Sequence, residues 1–426
     1  MAKVAIVGAG HSGLELGFSL LQDGDEVIIY SDKRPEDFAA TRLPSSNGVF
    51  SRGLDRERAL GINFWDGVGP LMDKTFVRVG AGDGTVALSV DGRLARHGQA
   101  VDQRVKFATW LSEFEKRGGE VVYESIDLAR LDEISAAADL TIVAAGKGDI
   151  TRQFEVDQAR MTYPGPQRRI LMLSVLDVPH PAPDGVAYNI LPGVGEAFGI
   201  PMLMANGDAI TWVIEAIPGG PMDRFAEIND SDAALAVAQG IFQDFFPWES
   251  DRHANARIAD ANAWLVGGVP PIVRKPVLTL PSGRQAMGIA DVVVLNDPCT
   301  GQGANSASEA ASIVHAAIRE RDAAGGAFDE AWMVNTFERF WEYAQWPTLF
   351  TNTMMAPWPQ HAVQLLAEAT VTPEIGHRFT MAFNDPRDLP NFFFDADKAL
   401  AYVDEAKARA AQRDRVQEEF TAGLAV

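Results

Sequence analysis

Three glycines, at positions 8, 10 and 13, lie between an apolar run and an amphipathic one, and they restrict this chain more than any other feature. Val4-Ala5-Ile6-Val7 is continuously apolar, as a strand covered on both faces of a parallel sheet must be. Leu14, Leu16, Phe18, Leu20 and Leu21 follow as a helix, Gly24 closes it, and Val27-Ile28-Ile29-Tyr30 reads as a second strand. In such a βαβ unit Gly8 permits the tight turn and Gly10 lets the backbone approach a pyrophosphate. Gly13 allows close helix-to-strand packing, and the helix N-terminus adds partial positive charge. His11 and Ser12 stand in the same first turn and are candidate contacts with it. The spacing predicts dinucleotide binding. Ser31 fills the place usual for the ribose-binding acid, so that contact falls to Asp32, which can equally be a solvated turn residue. Arg34 can pair with an adenine-side phosphate or point into water.

A second signal lies far downstream. Gly288-Ile-Ala-Asp291 places a carboxylate at a strand end, where it can bond a ribityl hydroxyl. Asp297-Pro298-Cys299-Thr300-Gly301-Gln302-Gly303-Ala304-Asn305 then brings bare backbone to a ring system and opens a helix. That helix start suits a flavin edge that becomes anionic on reduction. Between the two signals, Ile170–Leu176, Met202–Ala205 and Ile210–Ile217 are strands broken by Pro and Gly, as in an antiparallel sheet. The expected fold is therefore α/β. A Rossmann-type cofactor domain spans 1–165 and 265–325, an antiparallel-sheet substrate domain spans 166–264, and 326–426 is mainly helical. Trp332, Phe337, Phe340, Trp341, Tyr343 and Trp346 recur at near-helical spacing and read as core.

Composition narrows the function. A net charge of −21 excludes a surface built for nucleic acid and disfavours an anionic membrane face. The single cysteine, Cys299, cannot form an internal disulfide, which suits a reducing cytoplasm. No apolar run reaches the roughly 20 residues of a membrane span. The seven histidines show no metal-ligand spacing, so no metal is expected.

The GAGxxG opening, the Val101-Asp102-Gln103-Arg104 helix start and the Asp-Pro-x-x-Gly-Gln-Gly-Ala-Asn loop resemble class A flavoprotein monooxygenases. Within that class the chain is most similar to the styrene and indole monooxygenases. This rests on Tyr30–Phe38, Gly267–Arg274, Asp297–Ser308 and Phe383-Asn-Asp-Pro386. The resemblance implies FAD as cofactor, touched by Gly8, Gly10, Gly13, Arg42, Arg104, Asp291, Pro298, Gly301, Gly303, Ala304 and Asn305. It implies oxygen transfer from a C4a-(hydro)peroxyflavin to a small apolar aromatic substrate, with Ser45 and Asn47 at the oxygen-transfer pocket. Reduced FAD would come from a separate NADH-dependent flavin reductase, O2 would be the second substrate, and a homodimer is admissible. Ala145-Gly146 stands where self-reducing hydroxylases carry Asp-Gly, consistent with no nicotinamide site. Ser45 and Val49 replace the Asn and His of styrene-type members, favouring an indole-like or unassigned substrate. Ala290 replaces the family's glycine. The rival readings are a single-component NAD(P)H hydroxylase and a flavin-binding protein without oxygenase activity. A halogenase is disfavoured, since no WxWxIP motif occurs.

Overall fold

The computed structural model describes residues 2–146, 148–179 and 184–424. Its smaller sheet has six strands, in the order Val277–Thr279, Gln285–Gly288, Leu140–Val143, Lys3–Val7, Glu26–Ser31 and Glu120–Tyr123. The last five run parallel and only the Val277–Thr279 edge is antiparallel. Lys3–Val7 lies in the middle, the chain filling first Glu26–Ser31 and Glu120–Tyr123 on one side and then Leu140–Val143 on the other, so its carboxyl end is the crevice where ligands of such sheets bind. The N-terminal helix, His11–Asp23, packs so close that a Cβ on Gly17 would come within 2.7 Å of Ile29. The helix Gln103–Lys116 covers it, with Phe114 edge-on to Phe18 at 5.3 Å. Asp102 caps that helix by accepting the Arg104 N–H at 2.9 Å.

The larger sheet has nine strands and is antiparallel except for one parallel pair, Met72–Gly80 with Gly185–Leu191. Its order is Arg257–Ile258, Arg169–Leu176, Gly207–Ala216, Gly195–Met204, Gly185–Leu191, Met72–Gly80, Val86–Ala100 and Gly48–Val49, while Trp264–Gly267 pairs alongside Arg169–Leu176. The hairpin 72–100, read from sequence as part of the 1–165 segment, thus joins this sheet. Its alternation of buried Val77, Val79, Val90 and Leu94 with exposed polar residues is the period of a half-covered strand pair. One face of the sheet packs on Ser231–Phe245 through Trp212, Ile214 and Phe242. The other meets an apolar layer from the C-terminal helices, including Phe350, Phe379 and Phe383. Of the six aromatics between 332 and 346, Trp332, Phe337, Phe340 and Tyr343 are buried core residues, as the spacing predicted. Among the described residues no helix is long and apolar enough to cross a membrane.

Gly13 and Gly10 differ in what a side chain would meet. A Cβ on Gly13 would lie 2.0 Å from the Gly8 carbonyl oxygen, whereas one on Gly10 meets nothing within 4 Å. Gly13→Ala should therefore cost about 2 kcal/mol or more, because backbone cannot yield. Gly10→Ala should cost under about 1 kcal/mol. Denaturant midpoints of the two variants without added flavin check the difference.

Candidate functional site

The site is the carboxyl edge of the parallel sheet. Gly8 takes φ +118°, a conformation open to glycine, and any Cβ there would sit 2.5 Å from the Ala145 nitrogen. The turn is thus pressed onto the neighbouring strand end on one side and open at Gly10 on the other. No side chain caps the helix that follows, leaving its first-turn N–H groups for a ligand. Ser12 is buried in that turn. The His11 side chain turns inward, its Nε2 3.1 Å from Glu15 Oε2 and its ring edge-on to Trp110 at 5.3 Å. Only its backbone is placed as the cofactor reading requires.

The helix Gly303–Ala324 runs parallel to the first. Ser308 Oγ donates to Glu15 Oε1 at 2.8 Å near one end, and His315 pairs with Asp23 at 2.7 Å near the other. Two positive dipole ends therefore open on the same side of the molecule. The second also lacks a side-chain cap, because Gln302 Nε2 donates instead to Thr300 O and Phe383 O. Gly301, at φ +63°, and Gly303 both face open space, with nothing within 4 Å of a built Cβ. Pro298 opens the short 3-10 turn that leads there. An open glycine cradle with two uncapped helix ends fits a dinucleotide's phosphates at one end and an anionic ring edge at the other.

Asn305 ties this loop to the N-terminal segment. Its Oδ1 accepts the Phe50 N–H at 2.8 Å, and its Nδ2 donates to Gly48 O and Gly301 O, each at 3.1 Å. Asn47 precedes Gly48 in a left-handed conformation, φ +45°, and its Nδ2 donates to Val101 O at 3.2 Å. Asn47 Oδ1 is buried with no donor among the described residues. Asn384, from the Phe383-Asn-Asp-Pro motif, accepts from Ser51 Oγ at 2.9 Å. Four segments distant in sequence thus converge, and Gly301, Gly303, Ala304 and Asn305 share one place with Asn47. Half-buried Ser45 is two residues away in the chain.

The charged candidates are more dispersed. Arg104 Nη2 lies 2.8 Å from both Asp102 and Asp260, and Nη1 reaches Thr41 O. Burial opposes its charge, but the hydrogen bonds it donates to Asp260 and Asp102 outweigh it and hold the guanidinium protonated. It pins the helix start to the 41 and 260 segments. Arg42 is exposed and stacks on Trp264 at 4.2 Å. Asp32 is exposed and paired with Lys33 at 2.5 Å, while Arg34 stacks on Tyr123 at 4.5 Å. Asp291 stands beside the Ala145–Gly146 turn, so close that a Cβ on Gly146 would meet it at 2.8 Å. Arg274 anchors the segment after it, donating to Val292 O at 3.0 Å.

Sequence reasoning missed two buried polar groups. Behind His11, Lys106 forms an ion pair with Glu57, both about 1% exposed, with Lys106 Nζ over the Trp110 ring at 4.8 Å. Glu15 and Glu57, each set among buried residues, were the available signal. The other group surrounds Glu215 beneath the Asp297 loop.

The family described as "Styrene monooxygenase A putative substrate binding domain" matches residues 146–252, which hold four strands of the large sheet and the helix packed on it. Styrene monooxygenase StyA from Pseudomonas fluorescens is 28% identical over 392 residues, covering 90% of this chain and 93% of that protein. A second StyA from a Pseudomonas species is 28% identical over 390 residues with the same coverage. The chain is similar to styrene monooxygenases over nine-tenths of its length. Its fold is shared more widely. A flavoprotein/dehydrogenase from Cytophaga hutchinsonii superposes with a TM-score of 0.64 at 12% identity, covering 96% of this chain and 99% of that one. A flavin-dependent brominase gives 0.60 at 13%, covering 97% and 99%. The 2-methyl-3-hydroxypyridine-5-carboxylic acid oxygenase gives 0.54 at 14%, covering 83% and 91%.

Against the styrene monooxygenase pattern, Ala290 has a structural consequence. It takes φ +51°, the left-handed region that favours glycine, and is 4% exposed. Its methyl is tolerated with strain, whereas a β-branched side chain is not. Ala290→Val should destabilise by about 2 kcal/mol or more, and Ala290→Gly should stay within about 1 kcal/mol of the parent. Thermal and denaturant unfolding of the two variants measure both.

Proposed function

We propose that this chain is the oxygenase component of a two-component FAD-dependent monooxygenase. It would take reduced FAD from a separate flavin reductase and use O2 to epoxidise or hydroxylate a small aromatic alkene or heteroaromatic. The observation that carries this reading is the junction at Asn305, where the uncapped Gly303 helix end and the Asn47–Gly48 segment are held together. Reduced flavin, when bound, supplies the oxygen chemistry, and the protein binds, orients and excludes water.

In this reading the His11, Ser12 and Gly13 amides bind the pyrophosphate and Asp291 bonds the ribityl chain. The backbone of Gly301–Asn305, opening on a helix dipole, stabilises negative charge on the ring edge. Asn47, with a buried carbonyl oxygen free to accept, holds a proton-bearing group at the pocket, assisted by Ser45. Leu43, Phe50, Met202, Val213, Phe350 and Phe383 belong to the buried apolar core that also holds Cys299 of the loop, which suits a site kept free of water. Ala145 in place of the acid of self-reducing hydroxylases favours the two-component form over a single-component enzyme.

The test is rapid mixing of the protein, loaded with pre-reduced FAD, with oxygenated buffer containing styrene or indole. Oxygenated product is expected, and hydrogen peroxide as the sole product overturns the reading. Flavin reduction by NADPH alone would instead establish the single-component enzyme. Asn47→Ala should lower product formed per O2 consumed by at least about tenfold, equivalent to about 1.4 kcal/mol. Asp291→Ala should weaken FAD binding by about tenfold, the loss of one charge-assisted hydrogen bond.

A further inference from the structure

Beneath the Asp297–Gly303 loop, the large sheet carries a polar cluster on the face that is otherwise apolar. Strand alternation sends Ile210, Trp212 and Ile214 toward the helix Ser231–Phe245, and Thr211, Val213 and Glu215 toward the loop. Glu196 is directly opposite Glu215 in the strand register. Arg168, just before the neighbouring strand, is engaged by Glu196 through two hydrogen bonds of 2.8 and 2.7 Å, and it also donates to Met355 O at 3.0 Å. One cation therefore neutralises one carboxylate, and Glu215 and Asp297 remain.

Both are sealed from solvent, Glu215 at 0% and Asp297 at 1% exposure. Asp297 Oδ1 accepts the Cys299 N–H at 3.1 Å. Among the described residues, Asp297 Oδ2 and both Glu215 oxygens receive no donor. One oxygen of each carboxyl and Cys299 Sγ all lie within 4.8 Å of one another. Two ionised carboxylates this close and this dry repel strongly, and a single proton between them converts repulsion into a short bond. The Arg168 charge and an un-ionised thiol make the place suited to a proton rather than a cation.

We propose that Glu215 and Asp297 share one proton, donated by Glu215 to Asp297 Oδ2, and that this bond clamps the Asp297–Gly303 loop to the sheet in the shape that receives the flavin. Glu215 is thus a positioning residue. The groups facing the pair are Arg168, Glu196, Cys299 and Tyr188. Burial pushes the Glu215 carboxyl well above the ordinary range, and the Asp297 charge adds to it. Burial also raises Asp297, to about 6, against the hydrogen bond from Glu215 and the N–H of Cys299. The Cys299 thiol and the Tyr188 hydroxyl are driven up by burial and stay protonated. Both carboxyls are raised relative to the unfolded chain. Their contribution to stability is therefore full below the ordinary carboxylate range and falls as pH rises through about 6 and beyond.

The clamp can be read without flavin. The wild-type infrared spectrum at neutral pH should contain a protonated-carboxyl carbonyl band that Glu215→Gln removes. Absence of the band, or its survival in Glu215→Gln, overturns the proposal. The flavin half rests on the proposed function and is read by titrating FAD against pH. Wild-type affinity should fall into the alkaline range. Glu215→Gln, a permanent donor, should bind within about twofold of wild type at neutral pH and lose that dependence. Glu215→Ala should bind roughly tenfold more weakly. Equal pH dependence in wild type and Glu215→Gln refutes the clamp. Failure of every form to bind FAD refutes the proposed function instead, and the infrared band then decides the clamp alone.

Discussion

The Asn305 carboxamide bonds three backbone groups at once, two of them more than 250 residues away in the chain. Asn305 is 7% exposed, so its loss would leave the Phe50 N–H and the Gly48 and Gly301 carbonyls short of partners where water cannot readily replace them. Each such group costs about 1–3 kcal/mol unpaired. Gly48 and Phe50, which follow the left-handed turn at Asn47, and Gly301 before the helix start are held in register by this one side chain, while Ser51 and Gln302 tie the Phe383–Asn384 segment to the same junction. The rest of the site depends on that register, because a loop of glycines has no side chains with which to hold its own shape.

A chain of net charge −21 that binds an anionic cofactor must collect positive potential locally. Three of the four buried cations among the described residues are not its source, and the fourth, Arg274, donates to the Val292 carbonyl. Arg104 lies between Asp102 and Asp260, Arg168 is matched by Glu196, and Lys106 by Glu57. Each is neutralised within its own pair and serves to join segments. What remains is backbone: two parallel helices, His11–Asp23 and Gly303–Ala324, whose uncapped first turns open on the same side. Fixed dipoles of this kind need no reorganisation when charge appears, which suits a ring edge whose charge changes during turnover.

How much of this was legible in the sequence depended on how local each constraint is. The glycine turn was legible because strand, turn and helix are consecutive in the chain, although of its three glycines only Gly13 answers a contact within the unit. The same holds for the second helix start, where Gly301 and Gly303 mark the opening directly. Arg104 was expected to touch the cofactor, and its ion pair was not legible because Asp260, which accepts from it, is 156 residues away. The hairpin 72–100 was assigned by its neighbours in sequence, although its own alternation matches the large sheet. His11 looked like a ligand because of its position. Only the packing of Trp110 and Glu15 shows that its ring faces inward.

Glu215 illustrates a signal that was present but weak. Ile210–Ala216 reads as a buried strand, and an acid on its inner face has no local partner to explain it. The explanation lies in the Asp297 loop, which the strand reaches only through the tertiary fold. Burying four ionisable groups there is a poor way to gain stability, since apolar side chains of equal volume would pack at lower cost. Its effect is geometric. A hydrogen bond between two strand-fixed and loop-fixed oxygens allows one loop position, where apolar contact would allow several. The loop ends at Gly303, the first residue of the helix whose dipole, in the proposed function, faces the ring edge. A fixed loop therefore fixes the direction of that dipole, and the polar cluster under the sheet and the open helix end above it act as one unit.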